Sequence, residues 1–377
     1  LLSAKYSPKG NYLVVASSGY DYQLTISPGG GGGTTSSVDE SSIASIWDAS
    51  SGSLKRSIPN RSRDHVLFGG NRSSRSRAVF SSDGKHVVIA GADPANLMIW
   101  NMEHDRLKRV LDGHEAEIIG ARFSSDGTKV VSYSADTTAR VWDLKSGKQL
   151  ALMSGHKSTV LWAEFSLDGK WIATASSDHT ARVWDANSGV GISVFKGHTD
   201  KVYQARFSPD GSRVVTSSED GFACVWDAAS MTQLSKVLKG HESHVISIDF
   251  SPDSQHVVTS SKDGSARLWE IDQEEIKAVF KGYGDINDAQ IRNHALGDVL
   301  EVKFSPDGGF LVTSSEDSRA LLRRVDRSNQ PIAEDVLLAP FTPARLWDVK
   351  KGVLSQEFEG METGAIASRF SPNGRKM

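Results

Sequence analysis

Residues 197–227 read GHTDKVYQARFSPDGSRVVTSSEDGFACVWD, and this stretch carries the pattern that decides the fold. Three short runs rich in β-branched and aromatic residues, at 202–207, 213–217 and 222–226, are separated by Ser-Pro-Asp-Gly and Glu-Asp-Gly. Both separators are typical turn sequences. A fourth run, at 233–238, leads into the next Gly-His pair. The stretch therefore predicts a unit of four short antiparallel β-strands.

The same unit recurs along the chain, and the position of its tryptophan gives the period. The middle five of these tryptophans are spaced by 42 or 43 residues. Seven tryptophans share this position, and we number the repeats 1 to 7 after them: Trp47, Trp100, Trp142, Trp184, Trp226, Trp269 and Trp347. A fixed period of this length is typical of propellers and solenoids. Since four strands cannot bury both faces alone, neighbouring units must stack, and closing the stack into a ring limits exposed sheet edges.

These repeats resemble the WD40 family, in which Gly-His stands near the start of a unit and Trp-Asp near its end. Gly-His occurs at 113–114, 155–156, 197–198 and 240–241. Trp-Asp occurs at 47–48, 142–143, 184–185, 226–227 and 347–348, with variants at 100–101 and 269–270. The resemblance covers essentially the whole chain. It implies an all-β fold, a seven-bladed β-propeller of four-stranded antiparallel blades, with an incomplete eight-bladed ring or part of a double propeller as alternatives.

We expect residues 1–377 to form one WD40 propeller domain with four insertions. These lie at about 22–42 (Gly/Ser-rich), 59–71 (Arg-rich), 283–294 and 318–342. Residues 365–377 resemble the start of a further repeat, because they contain an eighth turn of the Ser-x-Asp-Gly type. Eight such turns against seven tryptophans predict that the chain is a fragment of a longer protein.

Two of the insertions differ in character. The first contains five consecutive glycines, at 29–33, without the Lys and Ser/Thr spacing of a phosphate-binding loop, so we expect a flexible loop. The insertion at 318–342 carries eight apolar residues in addition to its arginines. We expect it to pack on its own propeller or on a partner, with a short amphipathic helix around 320–325.

Four repeats place His, Ser or Thr, Asp and Trp at one spacing, with 22 residues from His to Asp and 6 from Asp to Trp. The four sets are His114, Ser132, Asp136 and Trp142; His156, Thr174, Asp178 and Trp184; His198, Thr216, Asp220 and Trp226; and His241, Thr259, Asp263 and Trp269. Such residues could form a nucleophilic triad or a buried hydrogen-bond network. Four copies, three of them with Thr, favour a structural network, so we predict no catalytic residue.

Partner contacts are expected on one rim of the disc, where the loops before each innermost strand and the turns before each third strand meet. The rim candidates are Lys157, Trp162, Lys201, Tyr203, Glu219, His244, Lys262 and Glu316, and those of the last insertion are Arg319, Arg323 and Arg324. Trp and Tyr are over-represented in binding hot spots, although Trp162 and Tyr203 could instead fill the interface between blades.

Composition excludes several classes of protein. The chain has 43 Lys plus Arg against 46 Asp plus Glu, and its arginine clusters lack interleaved aromatics, so nucleic-acid binding is not expected. Its single cysteine, Cys224, excludes a disulfide framework and argues against a cysteine-based metal site; we predict no metal and no cofactor. No apolar run is long enough to span a membrane. We therefore expect an intracellular, cytoplasmic or cytoskeleton-associated protein, with the nucleus as an alternative.

The predicted function is a non-enzymatic scaffold that binds other proteins within a multi-subunit assembly. The alternative is a regulatory or sensor propeller attached to a signalling or enzymatic domain outside this sequence. An RNA-binding propeller and a ubiquitin-ligase substrate receptor carry less weight. For the receptor, Trp-Asp-Leu-Lys at 142–145 and Trp-Asp-Val-Lys at 347–350 have Lys where the corresponding motif has Arg.

Overall fold

A computed structural model of the chain describes residues 3–16, 22–28, 34–38, 42–48, 51, 53–59, 77–93, 95–104, 106–228, 233–273, 275–281, 298–315, 320–324, 336–337, 345–348 and 353–359. Within these ranges the chain forms thirty-two β-strands and no helix.

The first half of the strands, in chain order, are β1 (Ser3–Tyr6), β2 (Tyr12–Ala16), β3 (Tyr22–Pro28), β4 (Thr34–Val38), β5 (Ser42–Asp48), β6 (Leu54–Pro59), β7 (Arg77–Phe80), β8 (His86–Asp93), β9 (Asn96–Asn101), β10 (Arg106–Leu111), β11 (Ile118–Phe123), β12 (Lys129–Ser134), β13 (Thr138–Asp143), β14 (Gln149–Ser154), β15 (Val160–Phe165) and β16 (Trp171–Ser176). The second half are β17 (Thr180–Asp185), β18 (Gly191–Lys196), β19 (Val202–Phe207), β20 (Arg213–Ser218), β21 (Ala223–Asp227), β22 (Gln233–Leu238), β23 (Val245–Phe250), β24 (His256–Ser261), β25 (Ser265–Glu270), β26 (Glu275–Lys281), β27 (Val299–Phe304), β28 (Phe310–Ser315), β29 (Ala320–Arg324), β30 (Val336–Leu337), β31 (Arg345–Asp348) and β32 (Val353–Glu359).

The described strands form eight antiparallel sheets of four strands each. Sheet 1 has the order β1-β2-β5-β6, and sheets 2 to 7 each take four consecutive strands, from β7–β10 to β27–β30. Sheet 8, with the order β31-β32-β3-β4, combines strands from the two ends of the described chain. The predicted all-β class and four-stranded antiparallel units are confirmed. The predicted number of seven is not confirmed, because eight sheets are present among these strands.

Turns of the Ser-x-Asp-Gly type set the first hairpin of sheets 1 to 7. In sheet 5, Gly211 adopts a φ of 73°, and its N–H donates to the Ser208 carbonyl at 2.9 Å. The Ser208 hydroxyl donates to Asp210 at 2.5 Å and accepts from the Arg213 N–H at 3.0 Å. A positive φ favours glycine, and the Ser and Asp side chains satisfy the turn's polar groups, so this short sequence fixes the β19–β20 connection.

The core lies between successive sheets. One cluster joins Trp162 and Val183 of sheet 4 to Val202 and Trp226 of sheet 5, and Trp226 is only 1 % exposed. The innermost strands of sheets 1 to 7 also contact one another in series, from β1 and β7 through to β23 and β27. Sheets 1 to 7 therefore bury apolar faces against their neighbours in the series, which is the packing expected of a propeller.

The region predicted as an insertion with a short helix, 318–342, differs from that expectation. Residues 320–324 form β29, which pairs antiparallel with β28, and β30 completes sheet 7. The helix prediction is therefore wrong. A hairpin from β28 to β29 needs only a four-residue connection, which costs less loop-closure entropy than a long excursion to Trp347. Trp347 lies on β31 in sheet 8 instead of in sheet 7.

The Gly/Ser-rich segment at 22–42 also contains more structure than a flexible loop. Its β-forming residues make β3 and β4, which pair with each other, and β3 pairs in addition with β32. The five glycines at 29–33 lie outside the described residues, as do 60–76, 282–297 and 360–377. Three calls therefore remain predictions. They are the Arg-rich loop, of which only Pro59 is described, the insertion at 283–294 and the extra repeat at 365–377.

Candidate functional site

The four His-containing sets form one hydrogen-bonded chain in each of sheets 3 to 6. In sheet 4, Nδ1 of His156 lies 2.8 Å from Asp178 Oδ2, and Nε2 lies 2.8 Å from Thr174 Oγ1. The Trp184 indole N–H donates to the same hydroxyl oxygen at 2.8 Å. The equivalent distances in sheets 3, 5 and 6 run from 2.6 to 2.9 Å.

The hydrogen bonds of this network define which atoms carry the protons. Because the Thr174 oxygen accepts from Trp184, its own hydrogen is available for His156 Nε2, and the Nδ1–H then donates to Asp178. Asp178 Oδ2 also accepts the backbone N–H of Lys157 at 2.9 Å. The network therefore ties the loop before the innermost strand to the turn before the third strand.

Burial and hydrogen bonding shift the pKa values of these groups in directions that preserve the pattern. Burial lowers the pKa of His114 and of His156, against the opposing effect of Asp136 and Asp178, so both imidazoles are neutral near pH 7. Burial alone would raise the pKa of Asp136, but hydrogen bonds from Thr138 and His114 lower it to about 2. A neutral histidine beside an ionised aspartate is the state that the hydrogen bonds require.

The hydroxyls of the four networks cannot serve as nucleophiles in this arrangement. Ser132, Thr174, Thr216 and Thr259 are each 0 % exposed, and every hydroxyl is engaged with both an imidazole and an indole. An attacking oxygen must reach a substrate, which requires access that these atoms lack. The networks therefore hold the loop before the innermost strand and the turn before the third strand together.

Sheet 2 shows what happens where the hydroxyl is missing. Ile89, fully buried, pairs with Met98 at the position that corresponds to the network hydroxyl, and the Trp100 indole nitrogen has no hydrogen-bond partner among the described residues. An unsatisfied buried N–H is destabilising, so this sheet lacks part of the stabilisation that sheets 3 to 6 have.

Five of the predicted rim residues come together around one carboxylate at the junction of sheets 5 and 6. Glu219 accepts a hydrogen bond from the Lys201 ammonium at 2.9 Å, and His244 Nδ1 lies 3.9 Å away. Burial, followed by a hydrogen bond to Glu219, raises the pKa of Tyr203. The Lys262 N–H donates to the His244 carbonyl at 3.0 Å, which places Lys262 beside the group. We call these five residues the Glu219 cluster.

The remaining predicted rim residues lie elsewhere. Lys157 is exposed on the loop before β15. Glu316 and Arg319 lie outside the described residues, and Arg323 and Arg324 are paired through the backbone of β29 with β28. These positions therefore add only Lys157 to the surface that the structure describes.

Trp162 is not placed as a surface anchor. It is 6 % exposed and lies on the innermost strand β15, with the guanidinium carbons of Arg122 and Arg206 at 3.8 and 4.7 Å from its ring centre. Guanidinium groups at this distance are attracted to the face of an indole. The prediction of Trp162 as a partner contact is therefore corrected: its ring fills the interior between sheets, because the neighbouring sheets supply cations that stack on it.

Sequence reasoning missed a row of charged residues inside the molecule. The residue before the last position of each innermost strand is Arg122, Glu164, Arg206, Asp249 and Lys303 in sheets 3 to 7. Four of them, all except Lys303, line a cavity of about 500 Å³. A charged residue that recurs at the same register position of five largely apolar strands is the signal that could have revealed this row.

Asp249 links two of these cations. It accepts from Arg206 at 3.0 Å and from Lys303 at 2.8 Å, while its other oxygen accepts the Phe304 N–H at 3.0 Å. Burial would raise the pKa of Asp249, but Lys303 and Arg206 hold it below its ordinary value. The contacts bind the inner strands of sheets 5, 6 and 7 together.

Neither metal nor membrane sites emerge from the described part of the chain. No group of three His, Cys, Asp or Glu side chains within it is placed to hold a metal ion. No helix that is long and apolar enough to cross a membrane occurs there.

Four-stranded antiparallel units with buried His–Asp–Trp networks define a propeller built from WD repeats. The family model "WD domain, G-beta repeat" matches the chain five times, at residues 105–143, 147–185, 189–227, 232–270 and 287–322, together just over half of its length. The chain therefore belongs to the WD40-repeat family, whose repeats form protein-interaction domains. A search of curated proteins finds no match to the chain.

Proposed function

We propose that this protein is a non-enzymatic scaffold within a multi-subunit assembly and that the rim around the Glu219 cluster binds its partner. The supporting observation is that Glu219 gathers Lys201, Tyr203 and His244 from two sheets into one group. The exposed Lys262 completes the cluster, through its backbone contact with His244. A surface that combines an aromatic ring with both signs of charge has the composition of a specific protein interface.

The networks beneath the rim support the proposal because they make it rigid. Asp220 accepts the Thr199 N–H at 3.0 Å and Asp263 accepts the Glu242 N–H at 3.1 Å, so both loops are fixed before any partner arrives. Glu219 N–H also donates to the Lys201 carbonyl at 2.9 Å. A preorganised surface loses less conformational entropy on binding.

The experiment is affinity purification with mass spectrometry from the native source, using three forms of the chain. The double variant Lys201→Glu, Lys262→Glu reverses two rim charges. The matched control Lys170→Glu reverses a lysine that is 71 % exposed at the opposite end of β15 and β16. We expect the wild type and the control to recover the same partner proteins and the double variant to lose them. Recovery of the same proteins by all three would contradict the proposal.

The proposed location is the cytoplasm. It rests on the single cysteine, Cys224, which is 3 % exposed, and whose pKa burial raises to about 12. A thiol in this state is inert, and the chain has no second cysteine with which it could form an internal disulfide. Fluorescence microscopy of the tagged chain tests the location, and a secreted product would contradict it.

A further inference from the structure

The charged row on the innermost strands borders a cavity at the end of the sheets that carries the Ser-x-Asp-Gly turns. Its volume of about 500 Å³ falls within the range of small-ligand sites, roughly 300–1,000 Å³. The last two residues of each innermost strand in sheets 2 to 6 line it, together with turn residues of sheets 2 to 5. The cavity lies at the opposite end of β19 from Lys201 and Tyr203, so it is separate from the Glu219 cluster.

The wall of the cavity is held in place by contacts between neighbouring sheets. The Ser125 hydroxyl donates to the Leu167 carbonyl at 2.6 Å, which joins the turns of sheets 3 and 4. Arg206 donates to Asp249 at 3.0 Å, which joins the innermost strands of sheets 5 and 6. A site that is formed in advance loses less conformational entropy when a ligand enters it.

One carboxylate on this wall lacks the ion pairs that its counterpart makes. Asp249 accepts from Arg206 at 3.0 Å and from Lys303 at 2.8 Å. Glu164 occupies the same register position in sheet 4 and is half-buried, and it forms neither a hydrogen bond nor an ion pair with any described residue. This holds although Arg122 and Arg206 occupy that position in the two neighbouring sheets. The cavity therefore presents a carboxylate to which a cationic group of a ligand can bind.

Two guanidinium groups lie near this carboxylate. Their carbons, in Arg122 and Arg206, are 3.8 and 4.7 Å from the centre of the Trp162 ring. Glu164 follows Trp162 by two residues on β15, so the two side chains share a face of the strand about 7 Å apart along it. Arg206 donates to Asp249 through Nη1, whereas its Nη2 has no hydrogen-bond partner among the described residues. Both signs of charge thus occur together on one wall.

Apolar side chains complete the wall. Phe123, Phe165 and Phe207, the last residues of the innermost strands in sheets 3 to 5, are half-buried and line the cavity. Leu167 also lines it and is 65 % exposed, at a turn position where sheets 3 and 5 have Ser125 and Pro209. A ligand with an apolar body would remove these side chains from water, which favours binding.

We propose that this cavity binds a free α-amino acid with an apolar side chain. The ammonium group of the ligand donates to Glu164, its carboxylate lies against the guanidinium groups of Arg206 and Arg122, and its side chain packs on the phenylalanines and Leu167. Charge balance selects a zwitterion, because the four charged residues that line the cavity, the two arginines, Glu164 and Asp249, sum to zero. A ligand with a net charge would leave one charge uncompensated in a partly enclosed site. Hydrogen bonds between charged groups supply the specificity.

The first test uses the wild-type chain alone and follows binding by isothermal titration calorimetry. The probes are L-phenylalanine, phenethylamine, which lacks the carboxylate, and hydrocinnamate, which lacks the ammonium group. We expect saturable binding of L-phenylalanine and at least tenfold weaker binding of each analogue. Absence of saturable binding of L-phenylalanine would overturn the proposal. Equal or tighter binding of either analogue would also overturn it, because the site would then select a net charge.

The second test changes the carboxylate. Glu164 has no described partner, so Glu164→Gln removes its charge without breaking a contact of the fold. The variant should bind L-phenylalanine at least tenfold more weakly and hydrocinnamate at least twofold more tightly, because a negative charge near the probe's carboxylate is lost. The matched control Glu117→Gln, which neutralises an exposed carboxylate before β11 at the opposite end of the innermost strands, should change either affinity less than twofold. Unchanged binding of L-phenylalanine by Glu164→Gln, or equal weakening of both probes, would overturn the proposal.

Discussion

Replacing Thr174 with valine isolates the energetic role of the buried network. Valine has nearly the same shape as threonine, so Thr174→Val removes the hydroxyl without opening a cavity. The hydroxyl is 2.8 Å from both His156 Nε2 and Trp184 Nε1, and the residue is 0 % exposed. Two buried polar groups thus lose their partner, at roughly 1–3 kcal/mol each. We expect a destabilisation of about 2–6 kcal/mol.

Urea unfolding monitored by tryptophan fluorescence measures this loss, with Thr174→Ser as the control. Serine keeps the hydroxyl, and a serine, Ser132, stands naturally at the equivalent position of sheet 3, where it contacts the imidazole and the indole. The serine variant should lose only the contribution of one buried methyl group, ~1 kcal/mol. A valine variant within 0.5 kcal/mol of the wild type, on the scale of an ordinary surface substitution, would refute the assignment, and so would a serine variant as unstable as the valine one.

Three further predictions follow from the same structure. Trp184→Ala should destabilise the protein by about 3–5 kcal/mol in urea unfolding, the usual loss for a buried aromatic; an unchanged midpoint would contradict it. Folding lowers the pKa values of His114 and His156, so the unfolded state binds more protons below pH ~6.5. The melting temperature should therefore fall from pH 7 to pH 5, and a rise would contradict this prediction. Gly120→Ala should cost roughly 1–3 kcal/mol in urea unfolding, since the new Cβ would clash with the Tyr133 hydroxyl, and adding Tyr133→Phe should restore part of the loss; full additivity of the two changes would exclude the clash.

The sequence predicts those features that depend on a single repeat. The 22-residue spacing from His156 to Asp178 and the six residues to Trp184 lie within one unit, and the β-strands between them have local turn signals. The hydrogen bonds that join these residues consequently follow from the repeat pattern. Fold class and four-stranded units follow for the same reason.

Features that depend on neighbouring sheets or on a choice between pairings could not be predicted in this way. Trp162 belongs to β15, but its environment is made by Arg122 and Arg206, which lie 40 and 44 residues away in the chain. The segment at 320–324 has only three apolar residues, followed by two arginines, and so short a run fits a helix or a strand equally well. It forms a strand because it pairs with β28, and no local sequence pattern predicts that pairing.

Site-specific photo-crosslinking is the most direct test of whether the rim at the Glu219 cluster binds a protein partner. A benzophenone amino acid is placed at Lys262, in the cluster, or at Lys170, at the opposite end of the inner strands, and each chain is irradiated in extract from the native source. We predict a discrete protein adduct from position 262 and none from position 170. Adducts of the same protein from both positions, or from position 170 alone, would contradict it.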